Sequence, residues 1–236
     1  MLGMTSRLVS PTILTRVAAL LSTLAIAGTA AFLLTRFPDF PDILPVRFGR
    51  GGLPIGWQYK TITRVLMPVF VQIALLTILG LVAMLVLSRP HGDQDADAPD
   101  VRTAAAAAEA VALIGTVWIL FQSYVAFVLA AMWQSGHEGL GPFYTVFEVT
   151  GVVLSMVIFA RAQLLFGRPM PRPFVPEHWR YGQLYKNPLD PALFVPTRDG
   201  SRWTLNFGRP VAAALMGVIL AVGIVAPAII LGLLLR

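Results

Sequence analysis

Five long apolar runs, separated by polar loops, constrain this chain more than any other feature. They cover Val17 to Thr35, Val65 to Ser88, Ala104 to Trp133, Phe143 to Phe166 and Val211 to Leu235. A hydrocarbon core about 30 Å thick takes about 20 residues of helix at a rise of about 1.5 Å each, and every run is near or above that length. Inside lipid a segment must satisfy its own backbone N–H and C=O groups, which a helix does internally. The expected fold class is an all-α membrane protein built as a five-helix transmembrane bundle. Composition supports this: 56% of the 236 residues are hydrophobic and 13% charged, which excludes an ordinary soluble domain. The absence of cysteine excludes disulfides, thiolate catalysis and thiolate metal sites.

The formal charge of +6 is spread beside the apolar runs instead of gathered in one block. It therefore points to membrane topology and lipid phosphate, and away from nucleic acid. Lys and Arg in the N-terminus, the 89–102 loop and the 161–209 region number 12, against 6 on the alternate side. This places the N-terminus in the cytoplasm and the C-terminus outside. Ala25-Ile26-Ala27 faintly resembles a signal-peptide cleavage site, but the run continues through Leu34, too long for a signal sequence, so an uncleaved first helix is expected. Four parts follow: 1–103 with two helices and the first loop, 104–167 with a central helix pair, 168–209 facing inside, and 210–236 as the last span.

In the first loop Pro38, Pro41, Pro45 and Pro54 discourage helix, while Gly49, Gly51, Gly52 and Gly56 permit turns. The expectation is extended backbone through Val46 and Phe48, a glycine turn, then Trp57 and Tyr59 at the membrane interface. In the second loop Asp93, Asp95, Asp97 and Asp100 lack the glycine and terminal glutamate of a calcium loop and read as a solvated acidic string. Gly136, Gly139, Gly141 and Pro142 make the third loop tight. The 168–209 region opens on a proline-rich extended stretch and ends in a small β-hairpin between helices four and five. Its signal is Asp199-Gly200, a two-residue turn flanked by 192–198 and 201–207. Closure there sets Pro196 opposite Trp203, Phe194 opposite Leu205 and Ala192 opposite Phe207 on one apolar face. Val195–Thr204 and Leu193–Asn206 fall on the other. An isolated hairpin is marginal in water, so the apolar face is expected to dock on the bundle or the lipid interface.

Two of these loops carry a family resemblance. Leu44-Pro45-Val46-Arg47-Phe48-Gly49, followed by Gly52 and Trp57, resembles the "LP-x-H-F-x-x-x-G-x-x-x-x-W" loop between the first two helices of SdpI-type bacterial membrane proteins. Tyr185 to Pro191, Phe194-Val195-Pro196 and Gly200 to Gly208 look like a second uncharacterised domain often joined to it, "Y-x-N-P-x-D-P … V-P … G-x-x-W-T-x-N-x-G". Together they touch about a quarter of the chain. The resemblance implies a bacterial plasma-membrane protein with a role in immunity to a secreted toxic peptide or in signalling by holding a regulator at the membrane. It marks Arg47, Phe48, Gly49, Gly52, Trp57, Asn187, Asp190, Trp203 and Asn206 as candidate partner-binding residues. The family's loop histidine is Arg47 here, and a guanidinium neither titrates nor coordinates metal in that position.

Ionisable groups within the spans are few: Glu109, Glu148 and Arg161. Left facing lipid at mid-bilayer each costs about 2.5–3.5 kcal/mol or more, so each is expected to have a partner or water. Glu109 and Arg161 lie about 8–9 Å in from the same side by helical rise, within reach of an ion pair whose plainest role is structural. Arg36 or Arg64 can reach Glu148. Ala105, Glu109, Ala112, Thr116 and Ser123 form a small, polar stripe on helix three, and Ala213, Gly217 and Ala221 a small-residue stripe on helix five; both suit helix packing. Pro68 and Pro227 can kink their helices. His91, His137 and His178 form no metal-ligand spacing, and neither a nucleophile elbow nor a Walker loop occurs. The reading is a non-enzymatic protein without a cofactor, embedded in the lipid bilayer, that binds a peptide ligand or a regulator protein. Alternatives are a structural subunit of a larger membrane complex and, further off, a small transporter using Glu109 or Glu148.

Overall fold

Four helices among the described residues are long and apolar enough to cross a membrane. The computed structural model describes residues 7–49, 52–88, 90–91, 99–136, 139–141, 143–169 and 173–221. α1 spans Ile13–Arg36 and runs on into a single 3₁₀ turn at Phe37–Asp39. The second run is broken: a short α2, Ile62–Val65, is capped by the Thr61 hydroxyl, which accepts from the Arg64 amide at 3.3 Å. α3, Met67–Leu87, restarts after Leu66. Pro68 explains the break, since its ring nitrogen offers no N–H to the turn before it. α4 spans Pro99–Ser135, 37 residues, or about 55 Å of helix. It begins before the expected Ala104 because Pro99 occupies its first position, where a missing N–H costs nothing. α5 is Phe143–Leu165. The fifth expected span begins as α6, Pro210–Leu220, while residues 222–236, with Pro227, lie outside the described residues. Asp93, Asp95 and Asp97 of the acidic string, together with His137 and Pro142 of the third loop, also lie outside them.

Among the described residues the short strands form four two-stranded antiparallel sheets, where only one hairpin was expected. β1, Arg7–Leu8, pairs with β4, Pro90–His91. β2, Ile43–Phe48, and β3, Pro54–Tyr59, form a hairpin from the first loop. β5, Trp179–Arg180, pairs with β6, Leu184–Tyr185, and β7, Phe194–Pro196, with β8, Trp203–Leu205.

The chain divides into two compact units, neither continuous in sequence. One comprises 14–79 and 112–160. Its core gathers Leu33, Phe40, Leu44, Val65, Val69, Ala126, Ala130 and Trp133, with Val46 and Phe48 of the β2 strand packed against it. Hydroxyl pairs stitch α1 to α4 here: Ser22 meets Thr116 at 3.0 Å, and Thr29 donates to Ser123 at 2.8 Å. The stripe expected on helix three is thus a packing face at Thr116 and Ser123, with its polar counterpart on α1.

The other unit comprises 1–13, 80–111 and 161–236. Val9, Ala83, Val86, Val101, Ala104, Ala108 and Leu215 form its main core, and Phe194 and Leu205 of the β7–β8 hairpin pack onto it. A smaller cluster of Tyr185, Ala192 and Val195, flanked by Trp179, lies within the same unit. The expected register holds, with Phe194 opposite Leu205, Val195 opposite Thr204 and Pro196 opposite Trp203. Two expectations for this hairpin need correction. The turn is not a two-residue one: the Thr197 amide donates to the Arg202 carbonyl at 2.9 Å and closes a loop of residues 198–201, with Gly200 in the left-handed region at φ +67°. The Asp199 side chain causes the wider loop by accepting from the hydroxyls of Thr197 and Ser201. Nor is only one face covered, because Leu193, Val195 and Asn206 on the second face are fully buried.

Candidate functional site

The β2–β3 hairpin is anchored by one strand and open along the other. Leu44 is buried in the core and Phe48 packs against it, while the Trp133 indole donates to the Pro45 carbonyl at 3.2 Å. Two register shifts, at Val46 and again at Ile55, twist the pair and set Arg47 opposite Gly56. A side chain at Gly56 would lie 3.1 Å from the stem of Arg47, so glycine leaves room for the arginine to cross the sheet. The turn closes through Gly49 and Gly52; Gly52 has φ +76°, and its carbonyl accepts from the Leu140 amide at 3.2 Å. On β3 the aromatic residues stay outside: Trp57 is 59% and Tyr59 73% exposed, as suits rings at a membrane boundary.

Beside this hairpin lies a cleft of about 380 Å³. Its walls are apolar along Val46, Phe48, Met67, Val71, Val125 and Leu129, and polar at Arg47, Arg64, Gln58 and Gln122. Among the described residues no carboxylate lines it. The cations of the loop divide sharply. Arg36 pairs with Asp39, Lys60 donates to the Phe40 carbonyl at 2.6 Å beside Asp42, and Arg64 donates to the Tyr59 carbonyl at 2.6 Å. Arg47 has no hydrogen-bond or ion-pair partner among the described residues, and its charge is offered to the cleft.

Glu109 and Arg161 meet as the sequence suggested. The Arg161 guanidinium donates to Glu109 at 2.5 Å, and the Thr12 hydroxyl just before α1 donates to the other carboxylate oxygen at 2.6 Å. The pair is lopsided, with the Glu109 side chain 8% exposed and that of Arg161 48%. Glu148 differs from expectation. It is exposed, and both proposed partners are engaged elsewhere, Arg36 by Asp39 and Arg64 by the Tyr59 carbonyl.

Gln72 was not singled out from the sequence. Its fully buried amide nitrogen donates to Ser123 at 2.8 Å, to the Ile119 carbonyl at 3.0 Å and, more weakly, to Thr29 at 3.3 Å, while its oxygen lacks a partner among the described residues. The available signal was Thr15, Ser22 and Thr29 at seven-residue spacing on α1, facing the stripe on α4.

The second motif is knit into its own unit. Asn206 uses its amide nitrogen to bond the carbonyls of Asn187, Asp190 and Ala192 at 2.9–3.2 Å. Its oxygen accepts from the amides of Asn187 and Gly208, both at 3.0 Å. Asp190 accepts from the Ala192 amide at 2.9 Å and from the Tyr185 hydroxyl at 3.2 Å. Asn187 accepts from the Leu189 amide, making a local turn. A Cβ on Gly208 would stand 2.4 Å from the Asn187 carbonyl carbon, which only glycine avoids. Trp203 donates its indole N–H to the Gly167 carbonyl at 2.8 Å. Of the nine candidate partner-binding residues, Asn187, Asp190, Trp203 and Asn206 therefore have their polar groups spent internally. Phe48, Gly49 and Gly52 shape the β2–β3 hairpin, while Arg47 and Trp57 face outward. The small-residue stripe of α6 packs on no described residue: Ala213 and Ala221 are exposed, and nothing described lies within 4 Å of a Cβ built on Gly217. Comparison with family models, with curated proteins and with solved structures finds no match to this chain.

Proposed function

We propose that this chain is a non-enzymatic, multi-pass protein of a bacterial plasma membrane that binds a peptide or partner protein at the β2–β3 hairpin, in an immunity or signalling role of the SdpI-like kind. The observation that carries the reading is Arg47, which has no partner among the described residues, beside an apolar cleft that no described carboxylate lines, next to exposed Trp57 and Tyr59. An amphipathic segment with one acidic group matches both halves of that lining, through charge at Arg47 and Arg64 and apolar burial along α3 and α4. The charge bias of the loops puts this hairpin on the outside, where a secreted ligand would meet it.

A photo-crosslinking residue at Gln58, in whole cells, tests this. The expected result is an adduct of discrete mass with a peptide or protein, lost in Arg47→Glu while the protein level is unchanged. Adducts with lipid alone, or adducts indifferent to Arg47→Glu, would overturn it. The open stripe at Ala213, Gly217 and Ala221 favours a second reading, a subunit of a larger membrane complex, because small residues let another helix approach closely. Cysteines at Ala213 and Gly217 would then cross-link at fixed stoichiometry to one other membrane protein.

A further inference from the structure

We propose that the cavity at the foot of the β7–β8 hairpin holds the phosphate head group of an anionic phospholipid. At about 500 Å³ it is larger than the cleft beside β2–β3, and the two share no residue. Arg168, just past the end of α5, and Arg202, in the hairpin, supply two guanidinium groups to its lining, and among the described residues no carboxylate lines it. Neither has a hydrogen-bond or ion-pair partner among the described residues. Neighbouring arginines differ: Arg198 stacks 4.4 Å from the Phe174 ring and donates to Gly182, Arg209 donates to Pro191, and Arg161 is held by Glu109. Two guanidinium groups without a described partner on one cavity offer the fork of N–H donors that phosphate oxygens accept.

The rest of the lining selects a lipid over free phosphate. Phe166, Phe194, Trp203 and Leu205 give the cavity an apolar side. Phe166 directly follows Leu164 and Leu165, both exposed on the last turn of an apolar helix long enough to cross a membrane. A ligand with charge at one end and acyl chains at the other satisfies both, and Trp203 adds an indole, a ring that favours the head-group boundary. Basic pockets at helix ends recognise anionic head groups by this combination.

The test uses the full chain in detergent, with native mass spectrometry and thermal melts read against added phosphatidylglycerol, phosphatidylcholine or inorganic phosphate. Phosphatidylglycerol should be retained and raise the melting temperature, phosphatidylcholine should do neither, and inorganic phosphate should not displace the lipid. Arg168→Gln with Arg202→Gln should weaken phosphatidylglycerol retention by about tenfold or more, as expected for removing two head-group contacts. Its lipid-free melt should match that of the unsubstituted protein, since both side chains are exposed. Arg198→Gln removes one charge from the same hairpin but lines no part of this cavity, and should leave retention unchanged. Equal retention of both lipids, full displacement by inorganic phosphate, or an Arg198→Gln loss as large as that of the double variant would overturn the proposal.

Discussion

The β2–β3 and β7–β8 hairpins each carry a tryptophan on their second strand, and the two indoles meet opposite surroundings. Trp57 stands largely in the open with Tyr59 beside it. Trp203 is half-buried and spends its N–H on the Gly167 carbonyl. The polar groups follow the same division. In the second hairpin Asn206 satisfies five backbone groups at once, and Tyr185, Asn187 and Asp190 bond among themselves. In the first, Arg47 is left with nothing to bond among the described residues. Two segments of similar composition, rich in proline, glycine and aromatic rings, thus do different work. One satisfies its own hydrogen bonds and becomes a rigid part; the other keeps its valence for something else.

The contrast breaks most directly at Asn206. Asn206→Leu fills the same space but strands five backbone groups that are buried or partly buried, and should cost about 3–5 kcal/mol, read as a lowered melting temperature in detergent. A loss below about 1 kcal/mol would mean that the second motif is no more self-contained than the first. Next comes the ion pair. Arg161→Leu leaves nearly buried Glu109 with Thr12 alone and should cost about 2–3 kcal/mol, whereas Glu109→Leu leaves a half-exposed arginine free to turn to water and should cost about 1 kcal/mol. The double replacement should recover part of the larger loss, and strict additivity in the cycle would exclude a working pair.

A matched pair of substitutions sharpens the comparison between the indoles. Trp203→Phe removes the bond to Gly167 and should destabilise by about 1–2 kcal/mol, while Trp57→Phe should stay within about 0.5 kcal/mol. The smallest effect concerns Asp199 in the β7–β8 loop. Hydrogen bonds from the Ser201 hydroxyl and then the Thr197 hydroxyl lower its carboxyl from an ordinary 3.8 to about 2. A depressed carboxyl stabilises the loop fully above about pH 4 and loses that contribution as pH falls through 2. Amide exchange at Ser201 and Arg202 should quicken over that range, and Asp199→Asn should remove the dependence.

Much of the frame was legible because its causes are local. Four apolar runs long enough to span a bilayer became helices α1, α3, α4 and α5, and Pro68 marked a break. The β7–β8 register was legible since alternation and Asp199-Gly200 both specify it. Its second face was not, because Val195 packs with Tyr185 and Ala192 and Asn206 bonds the 187–192 turn, contacts of an irregular segment that no periodicity announces. The β2–β3 pairing was missed for a related reason: Pro45 and two register shifts disrupt the alternation that would have revealed the second strand. At the candidate site, the Glu109–Arg161 pair followed from depth along two helices. Gln72 did not, since an uncharged amide in an apolar run draws no notice until hydroxyls on two other helices converge on it.

The peptide at Gly167 is gripped from both edges. Its N–H donates to the Thr103 hydroxyl of α4 at 3.1 Å, and its C=O takes the indole of Trp203 at 2.8 Å. A Cβ there would come 2.5 Å from the Pro99 carbonyl, so the chain leaving α5 crosses the start of α4 in direct backbone contact. One residue therefore serves as a pivot for three elements. Tilting the end of α5 against the start of α4 must either stretch the bond to Thr103 or pull on the hairpin through Trp203. A displacement at these helix ends is mechanically geared to the hairpin, and the gear is a single glycine.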